Sequence, residues 1–144
     1  MNRFPPVADL VPHAPPTLAL DELLRWEPGR AWLSLAVRSE TLLVHGGQLA
    51  SVAVLEFLAQ GVAACLGYEA FRTGGGVRVG MVVAVRRMVV HRASVAVGER
   101  LELEVAAVRT SDQVSTFQTV ARDAQGAPVV TAAMTLLHAE RPPD

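Results

Sequence analysis

From Ala50 to about Arg72 the chain contains no proline, and apolar residues occupy nearly every side of the helix this stretch predicts. Val54, Leu55, Phe57, Leu58, Val62 and Leu66 leave no continuous polar face. A helix that is hydrophobic all round must be enclosed by other protein. Thr73-Gly74-Gly75-Gly76 predicts its end, because glycine readily takes the left-handed conformation that closes a helix. No uninterrupted apolar run reaches the roughly 18 residues of a membrane span. The expectation is a core helix wrapped by something else.

The wrapping is expected from the flanks. Ala31 to Arg38 alternates, with Leu33, Leu35 and Val37 on one face and Trp32, Ser34 and Arg38 on the other. Val77 to Val85 puts Val77, Val79, Met81, Val83 and Val85 on one face of a half-buried strand; the pattern breaks at Arg86-Arg87, where a bulge or bend is expected. Leu101, Leu103 and Val105 alternate with Glu102 and Glu104, and Val114 to Val120 and Val129 to Leu137 follow as strands. Turn residues between them keep the connections short, so the four successive strands after residue 76 predict an antiparallel meander. Ahead of the helix, Leu18 to Trp26 reads as a strand or a short helix, and Glu27-Pro28-Gly29 as a type II turn. Five prolines exclude a helix interior or a central strand from residues 1–16, which read as an extended N-terminal arm. The expected class is α+β, one long buried helix wrapped by an antiparallel β-sheet.

The 144 residues suit one domain, 1–144. A net charge of −1 with no basic tail argues against a nucleic-acid binder. Cys65 is the only cysteine, which excludes an internal disulfide framework and a cysteine zinc knuckle. Its apolar neighbours make it a core residue. The four histidines lie far apart with no His-x-x-x-His spacing, so no metal site is expected. Nucleophile-elbow and phosphate-loop motifs are absent. Met1 to Ala8 lacks the apolar region of a signal peptide, and a cytoplasmic location is expected.

Glu56 is the only charged residue between Thr41 and Tyr68. An unpaired buried carboxylate is costly or is driven toward its protonated form, the form a general acid needs at neutral pH. The bland alternative is a carboxylate hydrogen-bonded across a subunit interface. Gln60, four residues on, shares its helix face. His45 precedes Gly46-Gly47 at the expected helix entrance, where a base and oxyanion-binding amides are plausible, although an ordinary loop histidine fits equally. His13 stands among prolines that stiffen its backbone. His91 and His138 read as structural or solvated. Arg86, Arg87 and Arg92 form a local basic cluster suited to an acidic partner or a phosphate, or merely to protecting a sheet edge.

These features together resemble the hotdog-fold 3-hydroxyacyl-acyl carrier protein dehydratases. The stretch Pro12-His13-Ala14-Pro15-Pro16-Thr17-Leu18-Ala19-Leu20-Asp21 is similar to that family's opening Pro-His-x-x-Pro-x-Leu-Leu-x-Asp, and Glu27-Pro28-Gly29 to its first turn. Leu55-Glu56-Phe57-Leu58-Ala59-Gln60 resembles its Glu-x-x-Ala-Gln helix motif, and Val97-Gly98-Glu99-Arg100-Leu101 its Pro-Gly-Asp/Glu-x-Leu segment. The family's Gly-His-Phe-Pro-Gly loop is shortened here to Val44-His45-Gly46-Gly47-Gln48, eleven residues from His45 to Glu56. That form is more similar to the ApeP-like branch found with aryl polyene synthesis.

The resemblance implies a hotdog homodimer or heterodimer without metal or redox cofactor. It would eliminate water from a 3-hydroxyacyl thioester carried by acyl carrier protein or coenzyme A, in fatty acid or aryl polyene-type synthesis. His13 would act as base, with His45 as its rival, and Glu56 from the other subunit as acid. Gly46, Gly47, Gln60 and Phe57 would contact substrate, with the surroundings of Phe57 and Leu58 lining an acyl tunnel. Arg86, Arg87 and Arg92 would dock the carrier protein. His45-Gly46-Gly47 is also similar to the His-Gly-Gly of hotdog acyl-CoA thioesterases, but their acidic position falls here on Val54, two residues out of register. Thioesterase therefore ranks second, beside a non-catalytic acyl-binding subunit.

Overall fold

The computed structural model describes residues 4–13, 17–75, 78–111 and 113–140. Ala14, Pro15 and Pro16 of the arm, Gly76 at the helix end, Val77 of the following strand and Asp112 lie outside the described residues, as do the side chains of Val79 and His138.

The elements run β1 (Glu22–Glu27), β2 (Arg30–Ala36), β3 (Val44–His45), β4 (Gln48–Ala50), α1 (Val54–Arg72), β5 (Arg78–Val90), β6 (Ser94–Ala96), β7 (Arg100–Thr110), β8 (Val114–Arg122) and β9 (Pro128–Glu140). Single 3-10 turns at Val7–Asp9 and Ser51–Ala53 precede β1 and α1. Six strands form one antiparallel sheet in the order β1-β2-β7-β8-β9-β5, and β3, β4 and β6 form a small second sheet.

The large sheet curls around α1. Leu33 pairs with Leu103 and Ala31 with Val105 across β2 and β7, and all four are fully buried. They meet Phe57, Leu58 and Val62 of the helix, also fully buried, in one core that includes Phe117 and Met134. Each such large apolar side chain contributes on the order of 2 kcal/mol through its removal from water. The segment Ser51–Arg72 is long and apolar enough to cross a membrane, but 61% of its most apolar window is buried inside the protein. The sheet encloses it as the sequence pattern requires. Pro28-Gly29 joins β1 to β2 with Gly29 at φ 75°, the conformation a type II turn demands.

Four expectations are corrected. The strands after residue 76 are not one meander: β7-β8-β9 is, but β5 pairs with β9 at the far edge. The chain between β5 and β7 is taken up by β6, which pairs with β4 in the other sheet. The strand face bearing Met81, Val83 and Val85 points outward, with Met81 63% exposed, while Val82 and Ala84 are partly buried. Both faces of β5 are apolar, so alternation alone does not say which one meets the helix. The ambiguous stretch Leu18 to Trp26 becomes strand only from Glu22. Finally, the arm is no mere lead-in, because Val7, Leu10 and Val11 are buried in the core. A Cβ on Gly67 would lie 1.8 Å from the Leu10 carbonyl oxygen, so the arm's backbone rests on the helix where only glycine admits it.

The bulge expected at Arg86-Arg87 is present. The pairing of β5 with β9 shifts between Arg86 and Val89, and Arg87 has φ 53°.

Candidate active site

Glu56 stands in the first turn of α1, where a carboxylate complements the positive end of the helix dipole. Gln60, one turn on, is completely buried. Its Nε2 donates to the Thr17 carbonyl at 2.8 Å and to Glu56 Oε1 at 3.4 Å, and its Oε1 accepts the Ala19 N–H at 3.1 Å. One carboxamide thus ties the arm to the helix and touches the carboxylate. The arm is seated at Leu10 against Gly67 and again at Thr17 and Ala19 against Gln60. His13 lies between these two attachments.

His13 and Glu56 line one cavity of about 140 Å³. Its remaining wall is nearly all apolar: Ala59, Ala63 and Leu66 from α1, and Val82 and Leu136 from the sheet. Ala59 and Ala63 follow Glu56 at helical spacing, and their small side chains leave the space open. His13 Nδ1 is buried without a hydrogen-bond partner among the described residues. A histidine and a carboxyl group facing one small apolar space suit proton removal and proton delivery on a bound substrate. Within one chain His13 and Glu56 share this cavity, and Gln60 holds Thr17 and Ala19 against the helix that carries Glu56.

The other residues singled out lie elsewhere. His45 ends β3, and Gly46-Gly47 makes the exposed two-residue turn to β4 with φ of 58° and 76°. This is a hairpin rather than the entrance of α1, and none of the three lines the cavity. Phe57 and Leu58 are fully buried core residues and do not line it either. The cavity wall that sequence reasoning missed carries only the alanines at helical spacing after Glu56 as its signal.

Cys65 is unsuited to nucleophilic chemistry. Burial, with Glu69 nearby, pushes its thiol up to about 12, against a smaller opposing hydrogen bond from Trp26. Among the described residues, no three His, Cys, Asp or Glu side chains cluster to hold a metal ion.

The basic cluster separates in space. Arg92 bonds Glu99 at 2.7 Å, approaches Asp123 at 3.5 Å and donates to the Ser94 carbonyl. The Arg92 hydrogen bond, helped by the Ala96 N–H, holds the Glu99 carboxyl below its ordinary range. Glu104 sits between Arg30 and Arg122; burial raises its carboxyl, but the two arginine hydrogen bonds outweigh this and lower it. Arg86 and Arg87 instead line a groove with Arg109, which the sequence did not single out.

A long buried helix wrapped by an antiparallel sheet, with a His–Glu cavity at their junction, defines a hotdog-fold protein. A family model described as ApeP-like, ApeP dehydratase, matches residues 5–143. The chain belongs to the ApeP-like dehydratase family.

Among solved structures, one similar chain comes from the dehydratase heterocomplex ApeI:P of Xenorhabdus doucetiae. It has TM-score 0.89 and 17% identity, covering 96% of this chain and 94% of that one. A hypothetical thioesterase with coenzyme A from Streptococcus pneumoniae TIGR4 has TM-score 0.65 and 11% identity, over 85% and 88% of the two chains. AziG of S. sahachiroi has TM-score 0.61 and 24% identity, over 85% and 92%. At these identities the similarity establishes the fold. No curated protein matches the sequence.

Proposed function

We propose that the protein is a hydro-lyase that removes water from a 3-hydroxyacyl thioester. The observation that carries this reading is the meeting of His13 and Glu56 in one apolar-walled cavity. Membership of a dehydratase family supports it. His13 takes the C2 proton, and the C2 electron pair becomes the C2–C3 double bond. The C3–O bond breaks, and Glu56 supplies the proton that turns the departing hydroxyl into water. His13 then carries one proton more and Glu56 one fewer, and transfer between them restores both. The apolar wall excludes water and accepts the acyl chain.

The acyl group is carried on a phosphopantetheine arm, of an acyl carrier protein or of coenzyme A, and the site works in the cytoplasm without metal or redox cofactor. Fatty acid or aryl polyene-type synthesis is the setting such a substrate implies. The outer edge of β5 has no partner strand within the described chain. A second copy of this chain, or another hotdog subunit, adds its strands there. The thioesterase reading loses support because His45-Gly46-Gly47 lies outside the cavity.

The test is mass spectrometry of a 3-hydroxyacyl carrier protein incubated with the purified chain. Loss of one water from the bound acyl group is expected. Release of the free acid would replace this reading with thioesterase. An unchanged thioester with a folded sample would assign a binding or partner-dependent subunit.

A further inference from the structure

The groove holding Arg86, Arg87 and Arg109 lies on the opposite face of the sheet from the His–Glu cavity. Thr135 of β9 lines the groove, whereas its neighbour Leu136 lines the cavity, and adjacent strand residues face opposite ways. The groove encloses about 320 Å³. Gln118 and the Thr116 and Thr135 hydroxyls, which bond each other at 3.3 Å, line it beside the three arginines.

Two irregularities build it. In a regular strand Arg86 and Arg87 would face opposite ways. The shift between Arg86 and Val89, with Arg87 at φ 53°, brings both to one groove. The register of β7 against β8 also shifts between Ala107 and Arg109, and both Val108 and Arg109 line the groove. A left-handed backbone is unfavourable for arginine, where glycine or asparagine would fit with less strain.

Unpaired charge is gathered in this groove, whereas Arg72 and Arg100, which also lack an ion pair among the described residues, stand apart from it. Arg25, Arg30, Arg38, Arg92 and Arg122 each face a carboxylate. Arg86, Arg87 and Arg109 pair with none among the described residues, and no Asp or Glu lines the groove. Guanidinium groups match phosphate oxygens in pairs. Three arginines lining one small concave space suit a compact multivalent oxyanion better than the spread surface of an acidic protein.

We infer that this groove is a binding site for a phosphate ester, anchored by Arg86, Arg87 and Arg109. The inference stands apart from the proposed reaction, because the groove and the His–Glu cavity lie on opposite faces of the sheet. Pairing of another subunit at the β5 edge leaves this face of the sheet open.

The full-length protein is titrated with coenzyme A, dephospho-coenzyme A, phosphopantetheine and inorganic phosphate, and followed by the backbone and arginine Nε–H resonances of β5 and β7. At least one ester is expected to shift the groove signals, more tightly than inorganic phosphate and less tightly as salt rises. Arg109→Gln is expected to weaken that binding about tenfold, the usual size of one lost charge-assisted hydrogen bond. Arg87→Gly removes a guanidinium while relieving the positive φ, so it is expected to weaken binding about tenfold without lowering Tm.

Equal binding of phosphopantetheine and coenzyme A assigns the phosphate of the arm. Preference for coenzyme A over both phosphopantetheine and dephospho-coenzyme A assigns the nucleotide's 3′-phosphate. Either supports the site. Binding of inorganic phosphate alone, no shift with any probe, or shifts indifferent to both variants overturn it. The readout is independent of turnover. A chain that dehydrates without binding here loses the groove, and a chain that binds without dehydrating loses the proposed reaction.

Discussion

The arm that carries His13 and the hairpin that carries His45 differ in what holds them. Both are short, both are marked by proline or glycine, and both precede the same helix. The arm buries Leu10 and Val11, lays its backbone against Gly67 and gives both a carbonyl and an N–H to the buried Gln60. The hairpin exposes His45, Gly46, Gly47 and Gln48, and a Cβ on either glycine would meet nothing within 4 Å. A side chain acts as a positioned base only where its backbone is already held, because otherwise ordering it during the reaction opposes catalysis. The hairpin is held by the small sheet, through Val97 N–H on the Gly47 carbonyl and Ser94 on Gln48, whereas the segment seated on α1 is the one that reaches the cavity.

The largest expected effect comes from the residue both histidines compete to serve. Glu56→Gln keeps the size of the side chain and removes its proton transfer, so turnover falls about a thousandfold while Tm and association state stay unchanged. Steady-state kinetics beside a thermal melt checks this, and retained turnover removes Glu56 from the mechanism. His13→Ala is expected to cost several hundredfold in kcat. A smaller loss than that of His45→Ala would invert the comparison.

Two predictions address the attachments themselves. Gly67→Ala forces a methyl group into the Leu10 carbonyl and is expected to lower stability by about 3 kcal/mol, read from denaturant midpoints. Gln60→Leu leaves the Thr17 carbonyl and the Ala19 N–H without their partner and costs about 2 kcal/mol. If the carboxamide positions His13, this variant also lowers kcat more than it raises KM, which a stability defect alone does not do. The smallest effect belongs to the hairpin. His45→Ala is expected to change kcat less than about threefold and stability by under about 0.5 kcal/mol. A hundredfold loss there would mean that the hairpin serves a cavity from outside its own chain.

The sequence pattern reaches the helix, its end, β2, β7 and the bulge at Arg86-Arg87, because each rests on local periodicity or on a residue with a special backbone. The face of β5 and its place beside β9 depend on which surface the helix covers, and that is a long-range fact. The same division holds in the site. Glu56 is visible as a lone charge in an apolar helix. The pairing of His13 with Glu56 inside one chain depends on Gln60 reaching Thr17 and Ala19 across 43 and 41 residues, and no local pattern encodes that reach. Arg109 stayed hidden because only the register shift in β7 brings it beside Arg86 and Arg87.

The seating of Leu10 on Gly67 and of Thr17 and Ala19 on Gln60 sets two piers, and His13 falls in the span of sequence between them. The number of residues in that span decides where along it a histidine hangs over the cavity, independently of the core beneath. Lengthening or shortening it by one residue would move the base relative to Glu56 while both piers stayed in place. Reach toward the substrate is therefore set by counting residues between the piers, separately from the packing of the helix.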